Sequence, residues 1–317
     1  MDSRAILDQF AEINDRNNGI AKFISGTGIF EYEEEYGKDL VKFTDEDLFD
    51  YFIVRKKYFR LIHISKLVTE FGAFYNYCVD QKYINYSPFY NSILFTQDYL
   101  IDRIATLGNV QLYSKEYVIN SCRKTEDNMP YYLSIMLCLY EGVQDVKTLG
   151  FIRYDDVNFN DKTIKSNNVQ LSISDELINT IRDMYQMQFF VVNDKKGLYS
   201  SFYDDNGYLI RQTLQAGASV ASVNKTARIK ALSTKITHVG LSDTFVCDSS
   251  ILFRLSSELG LDRLIEILDY EQGKRTSRDD TGILSHYFEQ WGITKSVKNF
   301  MFNYKVYVPL LKNNIIM

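Results

Sequence analysis

The stretch YLSIMLCLYEGVQDVKTLGFIRYDDVNF, residues 132–159, decides the fold because the hydrophobic period of the chain changes inside it. The apolar run that follows Pro130 predicts a buried helix. From Tyr154 onwards, short apolar pieces are broken by Asn and Asp, as in YDDVNFNDKTIKSNNVQLSIS, residues 154–174. Such pieces predict a small antiparallel sheet with polar turns.

Helical patterns lie on both sides of this stretch. Downstream they resume with DELINTIRDMYQM, residues 175–187, and continue to Tyr270, before a polar loop over residues 274–282. Upstream, Thr44 and the carboxylates that follow it indicate a helix N-terminus. The apolar residues between Leu67 and Cys78 then recur every three or four positions, which predicts an amphipathic helix.

The sequence therefore predicts a mainly α protein with a small antiparallel β-sheet. We expect an all-α N-terminal domain over residues 1–109 and an α+β domain over residues 110–317. Its length of 317 residues is enough for two domains with separate cores, and a hydrophobic share of 45% indicates a globular chain.

Several classes of protein are disfavoured by composition. No apolar run approaches the ~20 residues that span a bilayer, and the acidic N-terminus does not read as a secretory signal. The four cysteines are widely spaced without a CxxC pair, which indicates reduced thiols. Three scattered histidines indicate no metal site. We expect a cytoplasmic protein without a cofactor.

Positive charge is concentrated in two stretches that lack acidic residues, although the formal net charge is −5. A phosphate backbone responds to a local patch and not to net charge, so both stretches are candidates for DNA contact. Ordinary solvated helix faces would give the same pattern. The DNA-binding candidates in the first stretch are Arg55, Lys56, Lys57, Arg60 and Lys66, and those in the second are Lys225, Arg228, Lys230 and Lys235.

The order of these segments resembles the tyrosine recombinase (phage integrase) family. The run from Tyr140 to Phe159 is similar to the family's first catalytic segment, and ITHVGLSDTF, residues 236–245, is similar to the second. An all-α domain that precedes them resembles the family's core-binding domain, which clamps DNA. The resemblance implies a recombinase-like fold that holds duplex DNA between two domains.

The chemistry of that family is missing where the resemblance places it. Gln144 stands at the first catalytic arginine and Ser242 at the second, with Asp243 where a histidine is common. Tyr270 matches a histidine position, and Tyr287 is the candidate nucleophile. Lys162 or Lys165 occupies the position of the hairpin lysine. Because two arginines normally stabilise the transition state, we expect no catalytic residue and no enzymatic activity.

The resemblance implies a sequence-specific binder of double-stranded DNA, most similar to the lytic-cycle repressors of SPbeta-type prophages. An operator-like element and a phage regulatory protein are the implied partners. A divergent active recombinase that uses Tyr287 is the first alternative, with arginines supplied from Arg153 or Arg254. A protein-interaction module without DNA binding is the second. The apolar C-terminal tail, residues 299–317, either packs in cis or supports self-association.

Overall fold

The computed structural model describes residues 2–193, 197–202, 207–211, 225–270 and 277–317. Most of these residues are helical, and the strands form small antiparallel sheets. The expected fold class, mainly α with a small antiparallel sheet, is confirmed. The helices are α1 Ser3–Ala11, α2 Asp15–Gly26, α3 Ile29–Tyr36, α4 Asp45–Phe49, α5 Leu61–Asp80, α6 Gln97–Thr106, α7 Lys115–Arg123, α8 Met129–Tyr140, α9 Val146–Leu149, α10 Asp175–Gln186, α11 Lys225–His238, α12 Asp243–Leu259, α13 Leu261–Leu268, α14 Arg278–Gln290, α15 Val297–Tyr304 and α16 Val308–Lys312.

The described residues divide into two compact units. The first comprises residues 2–110, 268–270 and 298–313. The second comprises residues 111–193, 197–202, 207–211, 225–267, 277–297 and 314–317. The sequence division placed all residues after 109 in the second domain, whereas residues 298–313 lie in the first unit because their apolar side chains are buried there.

Helix α5 carries much of the core of the first unit, as its apolar spacing predicted. Phe71 and Phe74 on this helix are fully buried. Phe71 packs edge-on against Phe52 at 5.1 Å, and Phe74 against Phe10 at 5.8 Å between ring centroids. Edge-to-face pairs of this kind add to the free energy gained from burying the rings.

Most of the apolar C-terminal tail, residues 299–313, is part of the same unit. Helix α15, a 3₁₀ turn over Lys305–Tyr307 and α16 follow one another, and the turn and α16 both pack against α6. Phe300, Tyr304 and Tyr307 are almost completely buried. Helices α15 and α16 of the tail thus pack in cis, whereas Ile315, Ile316 and Met317 at its end are exposed.

Helix α8 is the centre of the second unit and corresponds to the apolar run after Pro130. Every residue from Tyr131 to Leu139 is buried. The helix packs against α7, α9, α10, α11 and α12, which explains why no polar face is present on it.

The predicted sheet follows α9 and has three antiparallel strands in the order β1, β2, β3. The strands are β1 Val157–Asn158, β2 Thr163–Ser166 and β3 Val169–Ser172. Asn167 and Asn168 join β2 to β3, both with positive φ (49° and 65°). This is the conformation that a two-residue hairpin turn requires and that Asn tolerates. A second antiparallel pair is formed by β4 Phe189–Asn193 and β5 Leu198–Ser201.

The polar segment 274–282 is not a loop throughout. Residues 271–276 lie outside the described residues, but α14 begins at Arg278. The Ser277 hydroxyl caps this helix by accepting hydrogen bonds from the amides of Asp279 and Asp280. A serine cap followed by two carboxylates is typical of a helix N-terminus. The polar composition of the segment had predicted a loop instead.

The cysteines are buried and unpaired, and burial raises the pKa of Cys78 and Cys122 to about 12. Within the described part of the chain, no three His, Cys, Asp or Glu side chains are grouped so that they could hold a metal ion. No helix among those residues is both long enough and apolar enough to cross a bilayer.

Candidate functional site

A cleft of about 520 Å³ in the second unit contains the residue that stands for the first catalytic arginine. Its walls are the segment around α9, the β2–β3 hairpin and the loop that carries Thr294. Gln144 and Lys165, which the sequence resemblance treats as active-site positions, both line this cleft. Ser242 and Tyr287 do not.

Gln144 is held by Thr294. The Gln144 side-chain oxygen accepts hydrogen bonds from the Thr294 amide at 3.0 Å and from its hydroxyl at 3.2 Å. The Gln144 amide nitrogen lies 3.2 Å from the same hydroxyl and 3.5 Å from that of Thr148. The side chain therefore brings no charge to the cleft, and its hydrogen-bonding groups are engaged within the unit.

Two lysines supply the positive charge of the cleft. Lys147 lies on α9 and Lys165 on β2, and both are exposed. Among the described residues, neither lysine forms an ion pair or a side-chain hydrogen bond. Lys165 alternates with buried Ile164 and Ser166, so the pleat of the strand directs it outwards.

The choice between the two hairpin lysines is settled by their geometry. Lys162 lies before β2 with a φ of 52°, and its ammonium group pairs with Asp175 at 2.8 Å. Lys165 lines the cleft without such a partner. Lys165 is therefore the hairpin lysine that faces the cleft.

The two carboxylates of the cleft bind backbone amides of their own segments. Asp145 caps α9 by accepting a hydrogen bond of 2.7 Å from the Thr148 amide. Asp156 accepts one of 2.8 Å from the Arg153 amide. Hydrogen bonds from backbone amides hold each carboxylate against its own segment, so the cleft contains two fixed carboxylates beside the two exposed lysines.

Other positions that the sequence resemblance singled out have structural roles. Ser242 precedes α12 and makes no capping hydrogen bond with its side chain, while the Asp243 carboxylate accepts from the Thr244 amide at 2.9 Å. Tyr287 on α14 is half-buried against Trp291, with ring centroids 5.2 Å apart. In the first unit, the Tyr270 carbonyl accepts a hydrogen bond from Lys305, whose ammonium lies 3.6 Å from the Tyr270 ring centroid.

The basic stretch of the first unit begins in a π-helix, Asp50–Arg55. π-Helical turns are rare in proteins as a whole, and those that occur are often found at functional sites. The helix ends at Arg55, Lys57 has a φ of 51°, and Lys56 and Lys57 are both exposed. The Arg55 guanidinium pairs with Glu35 at 2.7 Å.

Two further candidates of this stretch lie on aromatic rings. The Arg60 guanidinium is 4.9 Å from the ring centroid of Phe59 and 5.2 Å from that of Tyr304. Lys66 is exposed, and its ammonium lies 4.6 Å from the Phe23 ring. Lysine and arginine stems that pack on a ring keep their charge at the surface, so both residues remain able to contact an anion.

The second basic stretch is largely structural, which overturns the expectation for Arg228. This residue is only 3% exposed, and its guanidinium donates hydrogen bonds to the carbonyls of Gly150 and Ile210. Burial lowers its pKa. Arg211, in the same stretch, is also buried and donates to the carbonyls of Met184 and Met187. Guanidinium groups held in this way join elements of the core and do not face DNA.

The remaining lysines of this stretch differ from one another. Lys230 is exposed on α11. Lys235 is half-buried, with its ammonium 3.2 Å from the Phe190 ring centroid and 5.7 Å from that of Tyr131. The side chain of Lys225 lies outside the described residues. Of the two lysines in this stretch whose side chains are described, Lys230 keeps the exposure that a phosphate contact needs and Lys235 does not.

We expect Lys235→Met to stabilise the protein at neutral pH. Burial lowers the pKa of Lys235 to about 8, below its ordinary value of 10.5. Below pH 8 the folded and unfolded states are both protonated, so the cost of burying the charge is constant. Between about pH 8 and 10.5 the unfolded state binds more protons, and the wild type regains stability relative to the variant.

Urea denaturation of both proteins at pH 7, 8.5 and 10 measures this difference. Lys230→Met is the control, since it removes an exposed charge from the same helix. If the difference in unfolding free energy between Lys235→Met and the wild type were the same at all three pH values, attraction to the Phe190 ring would offset the cost of burying the charge.

The fold and the cleft define a mainly helical protein of two units, with a lysine-bearing cleft in the second. No protein-family model matches the chain, and no curated protein matches it. A solved structure described as "Crystal structure of XerA recombinase" is similar over 99% of this chain and 98% of its own length, with 9% sequence identity and a TM-score of 0.38. A likeness of this degree carries no argument about function, so the proposals below rest on this chain's own residues.

Proposed function

We propose that this chain binds duplex DNA without cleaving it. The observation that carries the proposal is the cleft in which Lys147 and Lys165 have no ion-pair partner among the described residues. An unpaired lysine at the rim of a cleft attracts a phosphate group, and each phosphate it neutralises releases condensed counterions. The exposed Lys56 and Lys57 of the first unit offer a second place for such contacts.

The absence of cleavage is part of the proposal. Gln144 is neutral and held by Thr294, and Ser242 presents no cationic group beside Asp243. A single preorganised donor to a transition state is worth about 2.7–4 kcal/mol, so a site without either arginine is at least several orders of magnitude too slow. Tyr287 packs on Trp291, and the Arg254 guanidinium lies 4.1 Å from the centroid of the same ring, so the divergent recombinase that would use Arg254 stays the alternative to this proposal.

A chain that holds DNA and leaves it intact fits regulation better than recombination. We therefore propose a sequence-specific repressor that occupies operator-like elements, with phage lytic genes as its targets. Neutral Gln144 and Ser242 stand at the two positions where the resemblance expects arginines, which supports a binder over a recombinase. Base readout would come from a few side chains in a groove, with phosphate contacts fixing the register.

Gel-shift titration of the full chain against genomic fragments tests the binding. We expect salt-sensitive retention of a subset of fragments, with an affinity that falls as ionic strength rises. A chain that retains no fragment even at low salt would instead be a protein-interaction module.

A suicide substrate built on a retained fragment tests the absence of cleavage. We expect no covalent protein–DNA adduct with either the wild type or Tyr287→Phe. An adduct that forms with the wild type and is lost in Tyr287→Phe would establish the divergent recombinase in place of the repressor.

A further inference from the structure

The basic stretch of the first unit lies beside an acidic helix of the same unit. Helix α3 has the sequence IFEYEEEY and carries four glutamates. It begins after Gly28, whose φ of 80° is one that L-residues rarely adopt. The Tyr51 hydroxyl donates a hydrogen bond of 2.6 Å to the Thr27 carbonyl, so the π-helix is tied to the residue just before this turn.

Arg55 is enclosed by groups that compete with a phosphate. Its Nη1 lies 2.7 Å from Glu35 Oε1, and its Nε lies 3.4 Å from Asp50 Oδ2. The guanidinium carbon is 5.1 Å from the ring centroid of Tyr32, on the same helix as Glu35. The hydrogen bond that Arg55 donates to Glu35 raises the pKa of Arg55, which is already charged throughout the physiological range. Two carboxylates and a ring thus occupy the directions in which this cation would bind DNA.

Lys56 lies next to a third carboxylate. Its ammonium nitrogen and Glu31 Oε2 both lie over the same face of Gly28, at 3.1 and 3.2 Å from the place that a β-carbon would take. The ammonium is also 5.4 Å from the Tyr51 ring. A side chain at position 28 would crowd both groups, so the glycine leaves room for each of them, although the two do not form an ion pair.

We propose that helix α3 is an internal counter-anion for the basic stretch, which a DNA backbone must displace before Arg55 can bind phosphate. This inference rests on the proposed DNA-binding function and adds its regulation. Glu35 stands where phosphate oxygens would otherwise lie. The pair of Arg55 with Glu35 lowers the affinity of the protein for any duplex. The affinity for non-specific DNA falls by the largest fraction, because binding without base contacts depends on charge alone.

The size of the effect follows from the exposure of the pair. Arg55 and Glu35 are 42% and 66% exposed in their side chains, so water and salt screen their attraction. Exposed pairs of this kind are weak, and breaking one should change DNA affinity by about two- to fivefold. Freeing one cation for a phosphate should also steepen the dependence of log affinity on log salt by about one.

Glu35→Gln and Glu34→Gln form a matched pair for the test. Both remove one negative charge from adjacent positions of α3, but Glu34 pairs with Arg4 at 2.7 Å instead of Arg55. Affinity for a random-sequence duplex would be measured by fluorescence anisotropy between about 50 and 200 mM salt. Over this range, the affinity that depends on phosphate contacts falls steeply. We expect tighter binding and a steeper salt dependence for Glu35→Gln, with a smaller change in affinity and an unchanged salt dependence for Glu34→Gln.

Adding Arg55→Ala to Glu35→Gln completes the test. If α3 acts through Arg55, the gain of Glu35→Gln disappears in the double variant, because there is no freed cation left to bind phosphate. Equal tightening by Glu35→Gln and Glu34→Gln, or a gain that survives Arg55→Ala, would refute the internal counter-anion. A wild type that shows no salt-sensitive binding would refute the proposed function itself, which is a separate result.

Discussion

Replacing Arg228 by Ala is expected to lower the free energy of unfolding by about 2–4 kcal/mol, the range of a buried and hydrogen-bonded charged group. The guanidinium joins the carbonyls of Gly150 and Ile210, which are distant in sequence, and lies 4.2 Å from the ring centroid of Tyr208. Truncation would leave both carbonyls without this donor and open a cavity beside the ring. The variant no longer has to bury a charged group. The expected loss of unfolding free energy is therefore smaller than the sum of the contributions of the two hydrogen bonds.

Lys230→Ala is the control for this substitution. It removes a positive charge two residues away on the same helix, from a side chain that is exposed. Exposed substitutions of this kind change stability by no more than about 0.5 kcal/mol. Urea denaturation followed by circular dichroism measures both variants. If Arg228→Ala were as stable as the control but bound DNA more weakly, the result would support the original prediction that Arg228 contacts DNA.

The period of hydrophobic residues predicted α8, the three-stranded sheet and α5 because each of them buries a regular set of side chains. The same argument, applied to α11, shows why Arg228 was misjudged. Leu232 and Ile236 follow Arg228 at intervals of four residues and are 1% exposed, so the arginine shares their buried face. A count of basic residues along the chain does not record on which side of a helix each one lies.

The cleft was only partly predictable. Gln144 could be placed by its segment, and strand alternation favours Lys165 over Lys162 once the register of β2 is known. Lys147 was missed, although Asp145 at a helix cap puts it on the first turn of α9. The pairing of Gln144 with Thr294 joins residues 150 positions apart. Nothing local in either segment indicates such a contact.

The location of the C-terminal tail could not be predicted from its hydrophobic pattern. Its apolar residues require a packing surface, and their spacing does not indicate which of the two units supplies it. In the structure α16 packs against α6 in the first unit, while Met317 exchanges backbone hydrogen bonds with Leu112 and Ser114 in the second. Hydrophobic burial is not directional, so its pattern indicates that a segment is covered without indicating by what.

Replacing Lys147 and Lys165 together by Ala is expected to weaken binding to a retained genomic fragment by about two orders of magnitude at low salt. Each ammonium–phosphate hydrogen bond involves a charged group and is worth about 1.5–3 kcal/mol, or at least tenfold in affinity. The slope of log affinity against log salt should fall by roughly two, one for each phosphate that is no longer neutralised. Both side chains are exposed, so we expect stability to remain within about 0.5 kcal/mol of the wild type.

Lys162→Ala is the matched control because it removes a lysine from the same hairpin, three residues from Lys165. Its ammonium is paired with Asp175 at 2.8 Å and does not line the cleft, so binding and salt slope should change little. Anisotropy titrations of wild type, double variant and control on one fragment, across a range of salt, separate the two cases. Equal losses in the double variant and the control would mean that net charge governs binding, and that the cleft is not where the phosphate backbone lies. A loss confined to the double variant places the backbone at Lys147 and Lys165, beside the neutral Gln144 where the recombinase family carries an arginine.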